Sequence, residues 1–150
     1  MANDLNALAQ RFAAGLLTMD GVYRTALPPG RYAGHSRSNP TTRSGLVFAL
    51  KGEAVFTFNG RPYRLGPGKV LHGGKNMELI LETGPSGFEY ILIHYTAEPM
   101  IAFAGSPHFM LDCGESLAVA EKLEQLRAVM AAPGGFSALR GKELFYGHFA

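Results

Sequence analysis

The stretch VFTFNGRPYRLGPGKVLHGG, residues 55–74, decides how the rest of the chain is read. Asn59-Gly60 lies between two runs of β-forming residues. A two-residue type I′ turn needs φ > 0 at both central positions, and Asn-Gly tolerates that best. Residues 54–58 are therefore expected to pair antiparallel with residues 62–65. Pro62 offers no N–H to a ladder, which places it at a sheet edge or at an unpaired position. Gly66-Pro67-Gly68 makes the next corner, and the strand that follows over residues 69–72 ends on a histidine, His72.

Outward from this hairpin the texture stays β. Short runs at 46–50, 77–83 and 88–96 join the two already named, with Gly and Pro at the corners. Short, closely spaced strands of this kind predict a sandwich or barrel rather than a parallel sheet with crossover helices. In the last run Phe88, Tyr90, Leu92 and His94 share one face while Glu89, Ile91, Ile93 and Tyr95 share the other. Both faces are mostly apolar, so this strand is expected to be central.

The flanks differ. Leu5, Leu8, Phe12 and Leu16 fit one face of a short helix over residues 4–17; Val22 and Tyr23 read as strand, and Pro28-Pro29-Gly30 as a turn. Residues 35–44 are polar and turn-rich, a loop or a strand edge with several donors. After Pro107, the residues Leu117, Ala120, Leu123, Leu126 and Met130 recur at helical spacing over 116–130, with Asp112 and Glu115 as a candidate cap. Residues 132–135 end that helix, and Ser137 opens a second one from residue 138. Its last positions, Leu144, Phe145 and Phe149, are still apolar, from which we expect the natural sequence to continue.

Composition bounds the function. With 150 residues, 47% of them hydrophobic and 17% charged, the chain is one globular domain rather than a disordered or membrane-spanning one. A net charge of +2 spread over 14 scattered Lys and Arg residues leaves no footprint for nucleic acid. One cysteine, Cys113, excludes an internal disulfide framework, and the N-terminus lacks a secretory pattern. These features predict a cytoplasmic protein with no membrane partner.

The order of strand, Lys51-Gly52-Glu53, strand, Asn59-Gly60-Arg61, Tyr63-Arg64-Leu65, Pro67-Gly68 and a strand ending in Ile93-His94-Tyr95 resembles the N-terminal cupin-like domain of AraC-type transcriptional regulators. The resemblance spans residues 20–150 and is most specific over 46–95. It implies a mainly β fold: a small cupin-like barrel, a double-stranded β-helix, over 20–110, preceded by an arm over 1–19. Two C-terminal helices over 111–150 would follow, leading into an absent DNA-binding domain. It also implies a small-molecule effector in the barrel, a homodimer formed through the helices, and DNA contact only through helix-turn-helix units outside these residues. Leu123, Leu126 and Met130 are then the expected dimer contacts. The run 70–77 further resembles regulators associated with iron-siderophore uptake, and the expected effector is a sugar or a siderophore-related compound.

Enzymatic cupins hold a metal with several converging His and carboxylate ligands. Residues 45–60 contain no histidine, so His72 is left without partners, and we expect no metal and no cofactor. His72 is read first as a turn-proximal histidine bound by backbone groups, and second as part of the effector site. The ligand-binding set is His35 and Arg37, which the resemblance places over the pocket, with Arg43, Phe56, His72 and Tyr90. Arg43 can meet an anion bidentately, and Phe48, Phe56, Phe58 and Tyr90 can line the barrel or simply fill it. His94, amid apolar neighbours, reads as a core residue. No nucleophile, base and orienting group follow a recognisable order, so no catalytic residue is expected. The alternative is a cupin enzyme of isomerase or dioxygenase type with a site built from His35, His72 and His94.

Overall fold

The structure, a computed structural model, describes residues 16–98, 101, 106–112, 114 and 117–130. Seven strands come first: β1 (Leu16–Leu27), β2 (Gly30–His35), β3 (Ser44–Phe58), β4 (Arg61–Leu65), β5 (Lys69–Gly73), β6 (Leu79–Glu98) and β7 (Phe109–Asp112). One helix follows, α1 (Leu117–Met130).

The Asn59-Gly60 turn forms as expected, with φ of 48° and 84°, and joins β3 to β4 in the register Phe58 to Arg61 and Ala54 to Leu65. Pro62 lies opposite Thr57 on β4, which pairs with β3 alone and so forms an edge.

Two pairs of expected strands turn out to be single long ones. Residues 46–50 and 54–58 are both parts of β3, and 79–83 and 88–96 are both parts of β6. The two long strands run antiparallel to each other throughout, with register shifts between Ala49 and Lys51 and between Gly52 and Ala54. The first shift leaves one extra residue on β3, Leu50, which flips the alternation, whereas at the second β6 spans residues 84–87 opposite Glu53 alone; such irregularities bend a strand without ending it. The inward set therefore passes from Val47 and Ala49 to Ala54, Phe56 and Phe58 on β3, and from Leu81 to Phe88 on β6. Gly52 makes the bend possible. It has φ of 78°, and a Cβ there would lie 2.1 Å from the carbonyl oxygen of Gly87.

All strands belong to one antiparallel sheet with the path β1-β6-β3-β5-β7, while β2 extends β6 and β4 extends β3 at the far side of the bends. The bent sheet folds over an interior cluster that includes Val47, Phe56, Phe58, Leu71, Leu81 and Phe88. A second cluster lies on the opposite face of β1, β6 and β3: Val22, Leu46, Phe48, Ile91, Ile93 and Tyr95, covered by Leu123 and Leu126 of α1. The expectation that this strand is central is met: β6 lies between β1 and β3.

Several expectations are corrected. Among the described residues no pairing joins β1 to β7, so the sheet is open rather than a closed barrel, and α1 is the one helix described. The second helix, from residue 138, lies outside the described residues, as does most of the N-terminal helix expected over 4–17. That helix's last two positions, Leu16 and Leu17, begin β1 instead. Leu123 and Leu126 are 1% and 0% exposed within a single chain. Each is committed to the core, where such burial is worth about 2 kcal/mol, and neither is an open dimer contact. Among the described side chains of α1, the exposed ones are Glu121, Lys122, Gln125 and Ala128, a mostly polar face. The side chain of Met130 lies outside the description.

Candidate functional site

Inside the fold of the sheet lies a cavity of about 350 Å³. It exists because the inward positions are not all filled by side chains: Gly34, Gly45, Gly73 and Gly74 contribute bare backbone to its wall. The rest of the lining is mainly apolar and aromatic, from Leu27, Tyr32, Val47, Phe56, Phe58, Leu79, Leu81, Tyr90 and Leu92. Phe56 meets Tyr90 edge-on with ring centroids 6.1 Å apart, and Phe88 stacks on Tyr90 at 5.2 Å, which fixes the rings in place. Burial pushes the Tyr90 phenol above its ordinary value, while a hydrogen bond with Thr25 pulls the other way. The phenol is therefore neutral at physiological pH and offers a hydroxyl in an apolar wall.

The polar lining comes from His35, Thr41, Thr42, Arg43 and His94. Thr41 explains how the polar run after β2 is held. Its buried hydroxyl donates to the Gly74 carbonyl at 2.9 Å and accepts from the Met77 amide at 2.8 Å, and its amide donates to the Met77 carbonyl. This staples residues 36–43 to the loop before β6 and sets Arg43 beside the cavity. His35 is held through Nδ1, 3.2 Å from the carbonyl of Asn39.

Arg43 Nε lies 3.5 Å from Asp20 Oδ2, and Asp20 also accepts a 2.7 Å hydrogen bond from the Thr96 hydroxyl. The Tyr23 ring packs edge-on against His94 at 5.6 Å. Burial, first, and the positive charge of Arg43, second, hold His94 below its ordinary pKa; Asp20 opposes them and His35 adds to them. At neutral pH His94 is thus uncharged, and Arg43 is the formal cation of the lining.

Of the ligand-binding set, the structure gathers His35, Arg43, Phe56 and Tyr90 around one cavity. Two members fall elsewhere. Arg37 is 96% exposed, 3.8 Å from Glu78, and outside the lining. His72 points to the other face of the sheet, fully buried. There its Nδ1–H donates to the Pro107 carbonyl at 2.9 Å, its Nε2 accepts from the Tyr95 hydroxyl, and its ring stacks on Phe109 at 4.7 Å. Burial drives its pKa from 6.5 to about 4, so it is neutral. Phe48 likewise faces the α1 side, whereas Phe58 lines the cavity.

The first reading of His72, a histidine bound by backbone, is met in part; its second reading, a place in the effector site, is not. Its position also dissolves the three-histidine site, since His72 and His94 lie on opposite faces. Among the described residues no three His, Cys, Asp or Glu side chains come together as a metal site. The sequence reading missed His94 as a lining residue and Asp20 as the partner of Arg43 beside the cavity. The alternation of Phe88, Tyr90, Leu92 and His94 already put His94 on the cavity face, and its apolar neighbours masked that.

No family model matches the chain, and no curated protein matches it. Solved structures do. Wild-type ToxT from Vibrio cholerae strain SCE256, in a structure bound to an unsaturated fatty acid, superposes with a TM-score of 0.54 at 10% identity, covering 90% of this chain and 51% of that one. Apo ToxT K231A from the same strain gives 0.53 at 12% identity, covering 89% and 53%. A cupin superfamily protein from Desulfitobacterium hafniense overlaps more loosely, at 0.39 and 21% identity over 53% of this chain and 75% of that one. The chain spans about half the length of the ToxT chains, and at these identities the likeness is one of fold.

Proposed function

We propose that this chain is the effector-sensing domain of an AraC-type regulator and that its effector is a small amphipathic carboxylic acid held in the cavity. The observation that carries the reading is the cavity itself: about 350 Å³, walled by aromatic and aliphatic side chains, with Arg43, His35 and His94 among its few polar groups. An apolar tail fits the wall, and a carboxylate fits the guanidinium. A sugar fits less well, because each buried hydroxyl needs a polar partner and most of this wall is apolar. The fatty acid held by ToxT, a protein of similar fold, supports the same ligand class.

The reading is non-enzymatic, with homodimerisation through the helical segment and DNA contact through helix-turn-helix units outside these residues, as the sequence resemblance implies. The dimer surface would have to be one other than Leu123 and Leu126. Isothermal titration with palmitoleate tests the ligand class: saturable one-to-one binding is expected. Absence of binding, or equal binding of a neutral sugar such as arabinose, would refute it.

A further inference from the structure

The odd element of the cavity rim is an acid. Asp20 sits where the register of β1 against β6 slips: Met19 pairs with Tyr95 and Gly21 with His94, which leaves Asp20 as the extra residue of a bulge. Bulges re-aim a side chain out of the regular alternation. Here the carboxylate reaches Arg43 Nε at 3.5 Å and is steadied by the Thr96 hydroxyl at 2.7 Å. Among the described residues it is the one acid paired with Arg43. The contact is longer than a hydrogen bond, and the Arg43 side chain is 53% exposed, so the pair is weak and exchangeable.

We propose that Asp20 is a resident stand-in for the ligand's head group: it occupies Arg43 while the cavity is empty, and an incoming carboxylate displaces it. This rests on the reading of the cavity as a site for amphipathic acids. Arg43 and Asp20 together are neutral, so the pair offers an anion no net attraction until Asp20 yields. Asp20 therefore sets the selectivity of the site, lowering affinity for every acid and excluding those whose tails bind too weakly to drive the exchange.

The test is the affinity of palmitoleate for the wild-type chain and for Asp20→Asn, measured by isothermal titration calorimetry beside the neutral methyl ester. Removing a competing exposed ion pair is expected to tighten palmitoleate by about 2- to 5-fold and to leave the ester unchanged. Thr96→Val, which frees Asp20 without removing its charge, is expected to act in the same direction more weakly, and it stands in if Asp20→Asn loses its thermal transition. Asp20→Glu is expected to stay near wild type. Unchanged or weaker palmitoleate binding in Asp20→Asn, with wild-type binding intact, overturns the stand-in role and leaves the ligand class standing. An equal gain for the ester also overturns it, since charge would then not be the cause. Failure of both proteins to bind overturns the stand-in role together with the ligand class.

Discussion

His72 and His94 occupy neighbouring regions of one sheet and have opposite fates. His72, on β5, faces the side that α1 covers; both ring nitrogens are engaged, by Pro107 and Tyr95, and no surface remains. His94, on β6, faces the side that the sheet folds over, where backbone glycines leave space, and it lines the cavity beside Arg43. Both are kept neutral by burial, yet one is part of the packing and the other is within reach of a ligand. The difference lies in what covers each face. A helix supplies enough apolar side chains to fill one side completely, and among the described residues nothing equivalent fills the other.

The largest expected effect breaks the packed side. Leu126→Glu puts an unpaired carboxylate where the native side chain has no exposure, and urea denaturation should show a loss of more than about 3 kcal/mol. Gln125→Glu, one position away on the exposed face, should stay within about 0.5 kcal/mol. A folded Leu126→Glu chain that merely dissociates would instead restore Leu126 as an interface residue.

Next comes acid. His72 has a folded pKa of about 4 against 6.5 unfolded, so the unfolded chain takes up its proton first as pH falls. The stabilisation is full above pH 6.5 and declines by about 3 kcal/mol as pH falls to about 4. Stability curves of the wild type and His72→Gln should converge toward pH 4; parallel curves would mean that His72 does not titrate on unfolding.

The open side should respond in ligand binding rather than in stability. Arg43→Gln should weaken palmitoleate about tenfold, through loss of a charge-assisted pair, while Arg37→Gln, outside the lining, should leave it unchanged. A smaller effect belongs to His94, which faces Arg43, His35, Asp20 and Tyr23. A bound carboxylate favours its protonated form, so palmitoleate affinity should rise as pH falls through and below the ordinary histidine range, and the rise should vanish in His94→Gln. The smallest effect is at the junction of the two regions. Arg24 joins β1 to β6 through Glu89 at 2.6 Å and to α1 through Glu124 at 2.8 Å, but it is 42% exposed, so Arg24→Met should cost less than about 1 kcal/mol.

Local chemistry was the legible part of the sequence. Asn59-Gly60 dictated its own turn, and the alternation in residues 88–95 sorted the two faces of β6 correctly. The continuity of β3 and β6 was not legible, because the register shifts on either side of Gly52 interrupt the alternation just as a turn would. Nor was the location of His72. A histidine at the end of an apolar run carries no mark of which face it takes, and the answer depends on Pro107 and Tyr95, far along the chain. Asp20 was hidden for a related reason: only the register slip opposite His94 turns it toward Arg43. Four of the six residues expected at the ligand site do line the cavity: aromatic residues on the inward set of a strand, and polar side chains of the turn-rich run that begins at His35 and that Thr41 ties down.

The central claim is that ligand chemistry is confined to the open side. Titrating isotopically labelled protein with palmitoleate and following backbone and side-chain resonances tests it most directly. The account predicts saturable shifts at Phe56, Tyr90, Arg43 and His94, with His72, Tyr95 and Leu126 unmoved. Shifts centred on His72 and α1, or none at the cavity, would contradict it.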